Sequence, residues 1–476
     1  MGLYFLRNNS QNICPLRVYV VTQVAMRLFL RVPKRGRKLP AVPMVRVEAC
    51  EDNSTIARRR ELRLAFIGIT ALAIFAACPT ARAQEETRAA TIEAARQEKQ
   101  QNLAPEQLSK GEQVLKELRD KKVIERFSAG IAGFRVKLGG LVSGGGFAIG
   151  PEYLRKDLAG GNLIFRSSAQ TSLRNYQRFD IQFSNPATDH LYFDLFAVRH
   201  NYPGISYYGS GPSSLKSNRT NYRFEDTATD FSLGVRPIRS LTMGGSVGYM
   251  WVNVGPGGDQ RYASSDQIFS PSDSPGIDQQ TDFARYGYFA QYDYRDSPTG
   301  PRSGGYYAFQ YHHFLDQNLG AFSFNMVKAE VRQFIPLFNK RRTIALRAKT
   351  VLTDPTGNNF VPFYLQPTVG GSDDLRGFRE FRFRDSNKFV VNAEWRWEVF
   401  SGLDMAAFYD AGKVFPRRSQ LNFHDLERSA GFGFRFNVRG SVFLRIDAGF
   451  SREGTQIWFK FDNVFLEERI RSTPYQ

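Results

Sequence analysis

Ionisable side chains are concentrated in the stretch VGGSDDLRGFREFRFRD at residues 369–385. It holds four arginines and four acidic residues together with three phenylalanines and three glycines. A guanidinium group binds a carboxylate most strongly as a planar, two-bond fork away from bulk water. Because the stretch is too charged for a core and too aromatic for an ordinary loop, we expect its arginines to bind carboxylates elsewhere in the chain. The alternative is a solvated surface loop with incidental charge.

Catalytic chemistry has little support in the sequence. No G-x-S-x-G turn, H-E-x-x-H helix or Cys/His cluster occurs. The sequence therefore predicts that the protein is not an enzyme and that it binds no metal, nucleotide or redox cofactor. A hydrolase built from scattered serines and histidines is the alternative. The five histidines are His190, His200, His312, His313 and His424.

The segments that must position the charged stretch show an apolar pattern with a period of two, from about residue 130 onward. In KFVVNAEWRWEV, residues 388–399, Trp395 and Trp397 fall on one face of a strand. Glu394 and Arg396 fall on the opposite face. The same alternation returns in AGFGFRFNV, VFLRIDAGF and QIWFKFDNVF near the C-terminus. Such strands need an apolar environment on one side and a polar one on the other.

These properties are typical of a barrel that crosses a membrane. The segments run about ten residues, which matches a tilted strand spanning a bilayer. A sheet in hydrocarbon must close, because each unpaired edge amide costs several kcal/mol there. The sequence thus predicts an all-β fold, a transmembrane antiparallel β-barrel of sixteen strands, with a soluble sandwich as the alternative. The predicted strands are 131–139, 142–154, 161–174, 176–185, 191–199, 224–236, 240–254, 283–295, 303–314, 321–334, 342–353, 387–399, 402–411, 428–438, 441–450 and 455–465.

Long polar segments at 200–223, 255–282 and 354–386 are the predicted outside loops. In a barrel with a polar interior, the last of these loops could fold inward and place an arginine against carboxylates of the wall. The candidate carboxylates on the two following strands are Glu394, Glu398, Asp404 and Asp410.

Two local features of the predicted strands leave alternatives open. The apolar face of the strand at 321–334 changes parity near Met326, which a β-bulge could explain. The glycine-rich GGLVSGGGFAIG at 139–150 fits either a weak seam between the first and last strands or a tight hairpin.

Residues 58–83 have the features of a secretory signal peptide. A cluster of arginines precedes an apolar segment at 64–77, and Ala81-Arg82-Ala83 gives the small-x-small cleavage pattern. We expect cleavage after Ala83, with lipidation at Cys78 as the alternative, and translation from Met44 or Met26. Cleavage would remove all three cysteines, which fits a surface location without a disulfide framework.

The predicted domain organisation has four parts. Residues 1–83 are the leader, 84–129 a periplasmic helical or disordered arm, 130–466 the barrel and 467–476 a C-terminal tail. The arm is either solvated or a short helix that binds a periplasmic partner or the pore. The net charge is +18, of which residues 1–83 carry +10. Because the remaining charges mix both signs, we predict no nucleic-acid partner.

Several motifs, in this order along the chain, resemble the C-terminal barrel of the BamA/TamA family, also called the bacterial surface antigen family. The motifs that carry the resemblance are YYGSGPSSLKSNRTNYRFE at 207–225, RDSPTGPRSGGYY at 295–307, GGSDDLRGF at 370–378, NAEWRWEV at 392–399 and FYDAG at 408–412. The resemblance implies that Leu375, Arg376, Gly377 and Phe378 form the tip of the inserted loop. It further implies that Arg376 reaches Asp410 with Glu394 nearby. Phe408 and Gly412 complete the strand motif.

The resemblance also implies a function in the bacterial cell outer membrane. The protein would aid insertion or passage of protein or lipid, surrounded by outer-membrane lipid. Its expected partners are nascent outer-membrane proteins or a periplasmic or lipoprotein partner. A passive channel or a structural surface antigen with a loop-constricted pore is the alternative. Residues 84–129 are too few for the family's POTRA repeat, so we expect none there, and Phe465 is followed by further residues where the family usually ends.

Overall fold

The computed structural model describes residues 132–142, 144–186, 190–338, 341–438 and 441–461. The predictions for the leader, for the arm at 84–129 and for the tail at 467–476 fall outside these residues.

Sixteen antiparallel strands form one continuous sheet in chain order, and two short strands pair with each other inside a loop. The strands are β1 (Phe134–Gly140), β2 (Phe147–Leu158), β3 (Leu163–Ser172), β4 (Gln177–Ser184), β5 (Leu191–Tyr207), β6 (Thr220–Ile238), β7 (Leu241–Pro256), β8 (Phe283–Asp293), β9 (Gly304–Asp316), β10 (Phe324–Leu337), β11 (Arg342–Pro355), β12 (Thr368–Val369), β13 (Phe383–Arg384), β14 (Asn387–Phe400), β15 (Leu403–Phe415), β16 (Glu427–Val438), β17 (Ser441–Ser451) and β18 (Gly454–Lys460).

Helices are short in the described part of the chain. One α-helix, α1, spans Ser265–Ile268, and single 3-10 turns occur at Ala159–Gly161, Lys216–Asn218, Phe363–Leu365 and Arg418–Gln420. None of these is long and apolar enough to cross a membrane.

The predicted all-β barrel of sixteen strands is confirmed, with some strands longer than predicted. Strand β5 extends to Tyr207 and strand β6 starts at Thr220. The loop between them is therefore shorter than the predicted 200–223. Long connections at 257–282 and 356–386 lie at the same end of the barrel, which we call the long-loop end. Short turns join the strands at the other end, as in bacterial barrels.

The two faces of the strands are sorted as the alternation predicts. Trp395 and Trp397 are largely exposed on the outer face of β14. Glu394 and Arg396 of the same strand are buried in the interior. On β16, Phe432 is exposed and Arg435 is buried. An outer surface rich in aromatic residues is suited to acyl chains and lipid headgroups.

The prediction of a bulge near Met326 is wrong. Strand β10 pairs with β11 from Phe324 to Leu337 without a change of register. Phe324 and Met326 therefore share the inner face with Glu330, and all three are buried. The apparent change of parity arises because the interior is apolar at this end of β10 and ionic further along.

The interior was predicted to be polar, and at the long-loop end it is instead apolar. The loop at 356–386 folds inward there and brings Phe363, Tyr364 and Leu365 against inward-facing aromatic residues of the wall. Burying so many rings together excludes water from this level. We call this cluster the aromatic plug. Its members include Tyr202, Tyr207, Tyr222, Phe224, Phe283, Phe314, Phe324, Phe363 and Tyr364.

One arginine of the charged stretch lies within the aromatic plug. The Cζ atom of Arg384 is 5.4 Å from the ring centroids of both Tyr207 and Tyr222. Its Nη1 donates a hydrogen bond of 2.6 Å to the carbonyl oxygen of Phe363. Aromatic faces attract a cation, so this arginine is accommodated in an aromatic surrounding.

The sheet has a seam between its first and last strands. Among the described residues, no backbone pairing joins β1 to β18. Across this seam the rings of Phe147 and Phe461 lie 6.0 Å apart. The glycine-rich segment at 139–150 forms the β1–β2 hairpin and also ends β1, the strand that borders the seam, so the structure agrees with both predicted alternatives.

Candidate functional site

The loop between β11 and β14, residues 356–386, lies inside the barrel, and we call it the luminal loop. Its tip is formed by Leu375, Arg376, Gly377 and Phe378, and all four residues are buried. A guanidinium group at this depth needs carboxylates close by, because burying an unpaired charge is strongly unfavourable.

Arg376 binds Asp410 of β15 as a two-bond fork. Its Nε donates to Oδ2 at 2.9 Å and its Nη2 to Oδ1 at 2.7 Å. The backbone N–H of Arg376 also donates to Oδ2 at 3.2 Å. Asn392 and Ser429 donate further hydrogen bonds to the same carboxylate. Three elements of the wall thus fix the acceptor of this fork.

The remaining Nη1 of Arg376 donates to Oε2 of Glu394 at 2.5 Å. Although burial opposes a charge at Arg376, the carboxylates of Asp410 and Glu394 raise the pKa of its guanidinium above the ordinary value. Glu394 also accepts hydrogen bonds from Arg396 at 2.8 Å and Arg435 at 2.9 Å. The structure therefore brings together Arg376, Glu394 and Asp410, which the sequence analysis singled out.

The ring of Phe408 packs against the guanidinium of Arg376. The Cζ atom of Arg376 lies 3.4 Å from the Phe408 ring centroid, so the guanidinium stacks on the ring. The ring in turn lies over Gly431 of the neighbouring strand, where a β-carbon would overlap it. Gly412 fits against β14, where a β-carbon would be 2.8 Å from the Phe389 carbonyl oxygen. Both motif residues of β15 thus shape the wall at the loop tip.

We expect Phe408→Leu to lower the free energy of unfolding by about 1–2 kcal/mol, because leucine offers no aromatic face to the guanidinium. Denaturant unfolding monitored by the shift between folded and boiled gel bands would measure it. Tyr409→Leu is the matched control, since Tyr409 is adjacent but faces outward. Equal losses in the two variants would contradict the stacking.

The ionic network extends beyond the predicted residues to the last strands. Arg435 of β16 donates to Asp447 of β17 at 2.6 Å, and Arg445 donates to the same carboxylate at 3.0 Å. Arg445 also contacts the luminal loop through Asp373 at 3.0 Å. The alternation placed Arg435, Arg445 and Asp447 on the inner face, but spacing along one strand does not reveal partners on another. The signal in the sequence is the set of charged residues that the alternation places on the inner faces of β14 to β17.

The backbone of the loop tip contacts strands β16 to β18 directly. A β-carbon at Gly377 would lie 2.7 Å from Ser429 Cβ and 2.8 Å from the Phe450 carbonyl oxygen. Ser451 Oγ donates to the Gly377 carbonyl oxygen at 2.7 Å. The indole Nε1 of Trp458 in β18 donates to the Arg376 carbonyl oxygen at 2.7 Å. Only a residue without a side chain fits at position 377.

The other two residues of the tip pack in a small apolar cluster. Leu375 and Phe378 are fully buried there. The rings of Phe378 and Phe383 lie 5.3 Å apart, and the cluster also includes Val390 of β14 and Val414 of β15. The tip therefore combines ionic and apolar contacts with the same pair of strands.

Two of the four candidate carboxylates do not bind the luminal loop. Asp404 instead accepts hydrogen bonds from Arg302, at 3.0 Å and 3.2 Å. Glu398 lies 3.6 Å from the same guanidinium. Arg302 belongs to the short turn between β8 and β9. These acids are near the opposite end of the barrel from the long loops, which places them beyond the reach of the loop tip.

The histidines do not form a common centre. The buried Nδ1 of His200 lies 2.8 Å from Asp226, and Nε2 of His312 lies 3.1 Å from Ser246 Oγ. His313 faces the outer side, where its Nδ1 is 2.8 Å from Asn325. Within the described ranges, no group of three or more His, Cys, Asp or Glu residues could hold a metal ion.

The buried ionic network, the aromatic outer face and the inserted loop define a membrane β-barrel with an arginine-bearing loop in its interior. A model of the Omp85 superfamily domain matches residues 157–457, and the chain belongs to this superfamily. The resemblance to the BamA/TamA type, predicted from the motifs, is confirmed.

One solved structure supports the fold, and two others are similar to part of this chain. The crystal structure of BamA from Haemophilus ducreyi lacking POTRA domains 1-3 aligns with a TM-score of 0.50 and 15% identity, covering 69% of each chain. CdiB from Escherichia coli aligns with a TM-score of 0.48 and 12% identity, covering 68% of this chain and 61% of that one. CdiB from Acinetobacter baumannii aligns with a TM-score of 0.44 and 11% identity, covering 69% of this chain and 59% of that one. No curated protein matches the sequence.

Proposed function

We propose that the protein lies in the bacterial outer membrane and aids the insertion or passage of protein or lipid there. The observation that carries this proposal is the seam, where β1 and β18 are not paired in the described part of the chain. Membership of the Omp85 superfamily supports it.

The physical argument concerns the two edges at the seam. An unpaired backbone amide in hydrocarbon costs several kcal/mol, so an open edge favours pairing with any extended chain that reaches it. Strands β1 and β18 have only seven residues each, whereas β6 has 19. In the described part of the chain no backbone ladder joins β1 to β18, so no such hydrogen bonds oppose their separation. The substrate class that fits such an edge is an extended segment of a nascent outer-membrane protein.

The passive channel, the alternative function, has less support. The luminal loop crosses the interior with the buried ion pairs of Arg376, and the aromatic plug fills the interior at the long-loop end. A steady open conductance of the intact protein in planar bilayers would favour the channel. Cross-linking in intact outer membranes followed by capture would identify a periplasmic or lipoprotein partner.

Locking the seam tests the proposal. The predicted mature chain has no cysteine, so Phe147→Cys on the β1–β2 hairpin and Phe461→Cys after β18, whose rings lie 6.0 Å apart across the seam, would be its only thiols. We expect the reduced protein in liposomes to accelerate folding of an unfolded outer-membrane barrel about tenfold or more, and oxidation to abolish this. The folding of the substrate is read from its heat-modifiable gel band.

The matched control places the cysteines at Phe432 and Ala448, which lie directly opposite each other on β16 and β17. Oxidation there joins strands that are already paired, so acceleration should persist. Equal rates for locked and unlocked seams, or no acceleration by either form, would contradict the proposed insertion activity.

A further inference from the structure

The C-terminal hairpin, formed by β17, β18 and the turn Arg452–Glu453, is held by loops rather than by a neighbouring strand on its free side. Its inner contacts are the hydrogen bonds from Ser451 and Trp458 to the tip of the luminal loop. A second attachment lies at the long-loop end, outside the ion-pair network already described.

Arg382 of the luminal loop provides this second attachment. Its Nε donates to the two carboxylate oxygens of Glu453 at 2.8 Å and 3.0 Å, and its Nη2 lies 2.8 Å from Oε1. The guanidinium stacks on Phe383, with Cζ 4.4 Å from the ring centroid, and on Tyr208 at 4.9 Å. Arg382 is 1% exposed as a side chain and Glu453 is 9% exposed.

The loop between β5 and β6, residues 208–219, completes the contact. Ser214 accepts hydrogen bonds from Arg382 through its hydroxyl at 2.9 Å and its carbonyl oxygen at 2.7 Å. Lys216 Nζ donates to the Glu453 carbonyl oxygen at 2.8 Å. One guanidinium therefore joins two long loops to the turn of the C-terminal hairpin. We call Arg382, Glu453, Ser214 and Lys216 the clasp.

We propose that the clasp is a conformational device that holds the C-terminal hairpin against the luminal loop, so that breaking the Arg382–Glu453 pair frees β18 at the seam. Its use in opening the seam rests on the proposed function. The holding itself does not, because it is a property of the isolated protein.

The strength of the clasp follows from its burial. A bidentate arginine–carboxylate pair that is shielded from water contributes far more than an exposed pair. The same turn offers the comparison, because Arg452 binds Glu427 of β16 at 2.6 Å with 60% of the arginine side chain exposed. Adjacent residues of one turn thus form a buried pair and an exposed pair.

Amide hydrogen exchange of the purified full-length protein in lipid nanodiscs, followed by mass spectrometry, tests the proposal without any substrate. Exchange of peptides covering 454–460 reports opening of β18, and peptides from β5 to β7 serve as the internal reference. We expect Glu453→Gln to speed exchange in β18 about tenfold or more, with the reference strands unchanged. Arg452→Gln, the matched control, should leave both regions at the wild-type rate.

Arg382→Lys is a second test, because lysine keeps the positive charge but cannot form the two-bond fork with Glu453. We expect exchange in β18 intermediate between the wild type and Glu453→Gln. Wild-type exchange in Glu453→Gln would overturn the clasp. So would faster exchange in every strand, since that result would show a general loss of stability rather than local holding. Neither outcome depends on insertion activity, so failure of the proposed function is read separately in liposomes.

Discussion

Arg376→Ala is expected to leave the protein secreted but to remove much of its resistance to trypsin added from outside. The substitution leaves Asp410 and Glu394 buried without the guanidinium that lies between them. Removing one partner of a buried ion pair typically costs about 3–5 kcal/mol. The luminal loop should then leave the interior and expose Arg379, Arg382 and Arg384 to cleavage.

Trypsin digestion of intact cells, read as the half-life of the full-length band, measures this effect. Arg155→Ala is the control, since Arg155 forms an exposed pair with Asp157 at the opposite end of the barrel. We expect the control to digest like the wild type. Arg376→Lys should fall between them, because lysine keeps the charge without the fork or the stacking on Phe408. Unchanged resistance in Arg376→Ala would contradict the role of Arg376 as a latch.

Gly377→Ala is expected to have the second-largest effect, although it adds one methyl group. The new β-carbon would lie 2.8 Å from backbone atoms of Phe450, which belong to a paired strand and cannot move independently. Overpacking of this kind costs about 1–3 kcal/mol. The loop tip should withdraw from β16 and β17, which would also separate Trp458 from the Arg376 carbonyl oxygen.

Two measurements follow this displacement. The free energy of unfolding should fall by about 2 kcal/mol, and the fluorescence of the protein should change as Trp458 loses its partner. Gly245→Ala is the matched control, because a β-carbon there meets only an ordinary contact at 3.5 Å. Identical unfolding curves for Gly377→Ala and the control would show that the close approach of loop and wall is not required.

The sequence supports most of the fold because a single local rule governs it. Each strand must present one face to lipid and one to the interior, so the alternation at Trp395 and Glu394 can be interpreted without knowledge of any other strand. The rule fails at Phe324 and Met326, where the inner face is apolar. That reversal depends on Phe363 and Tyr364, which the luminal loop brings from a distant part of the chain.

The contacts of the candidate site were also predictable only in part. The motif resemblance implies the pairing of Arg376 with Asp410 and Glu394, and those atoms are in contact. The involvement of Arg435 and Asp447, and the pairing of Asp404 with Arg302, depend on the register of neighbouring strands and on which end of the barrel each residue lies. The alternation of charged residues shows which face of the sheet a residue lies on. It does not show the position of the residue along the barrel axis or its partner on another strand.

The contact between Phe408 and Gly431 means that two positions on adjacent strands occupy one shared volume. A bulkier residue at 431 has no space unless the ring at 408 shrinks, and a smaller residue at 408 leaves a void unless 431 grows. Changes at these positions should therefore arise together in related chains. Such compensating pairs would preserve the surface on which the Arg376 guanidinium stacks, even where position 408 is not phenylalanine and position 431 is not glycine.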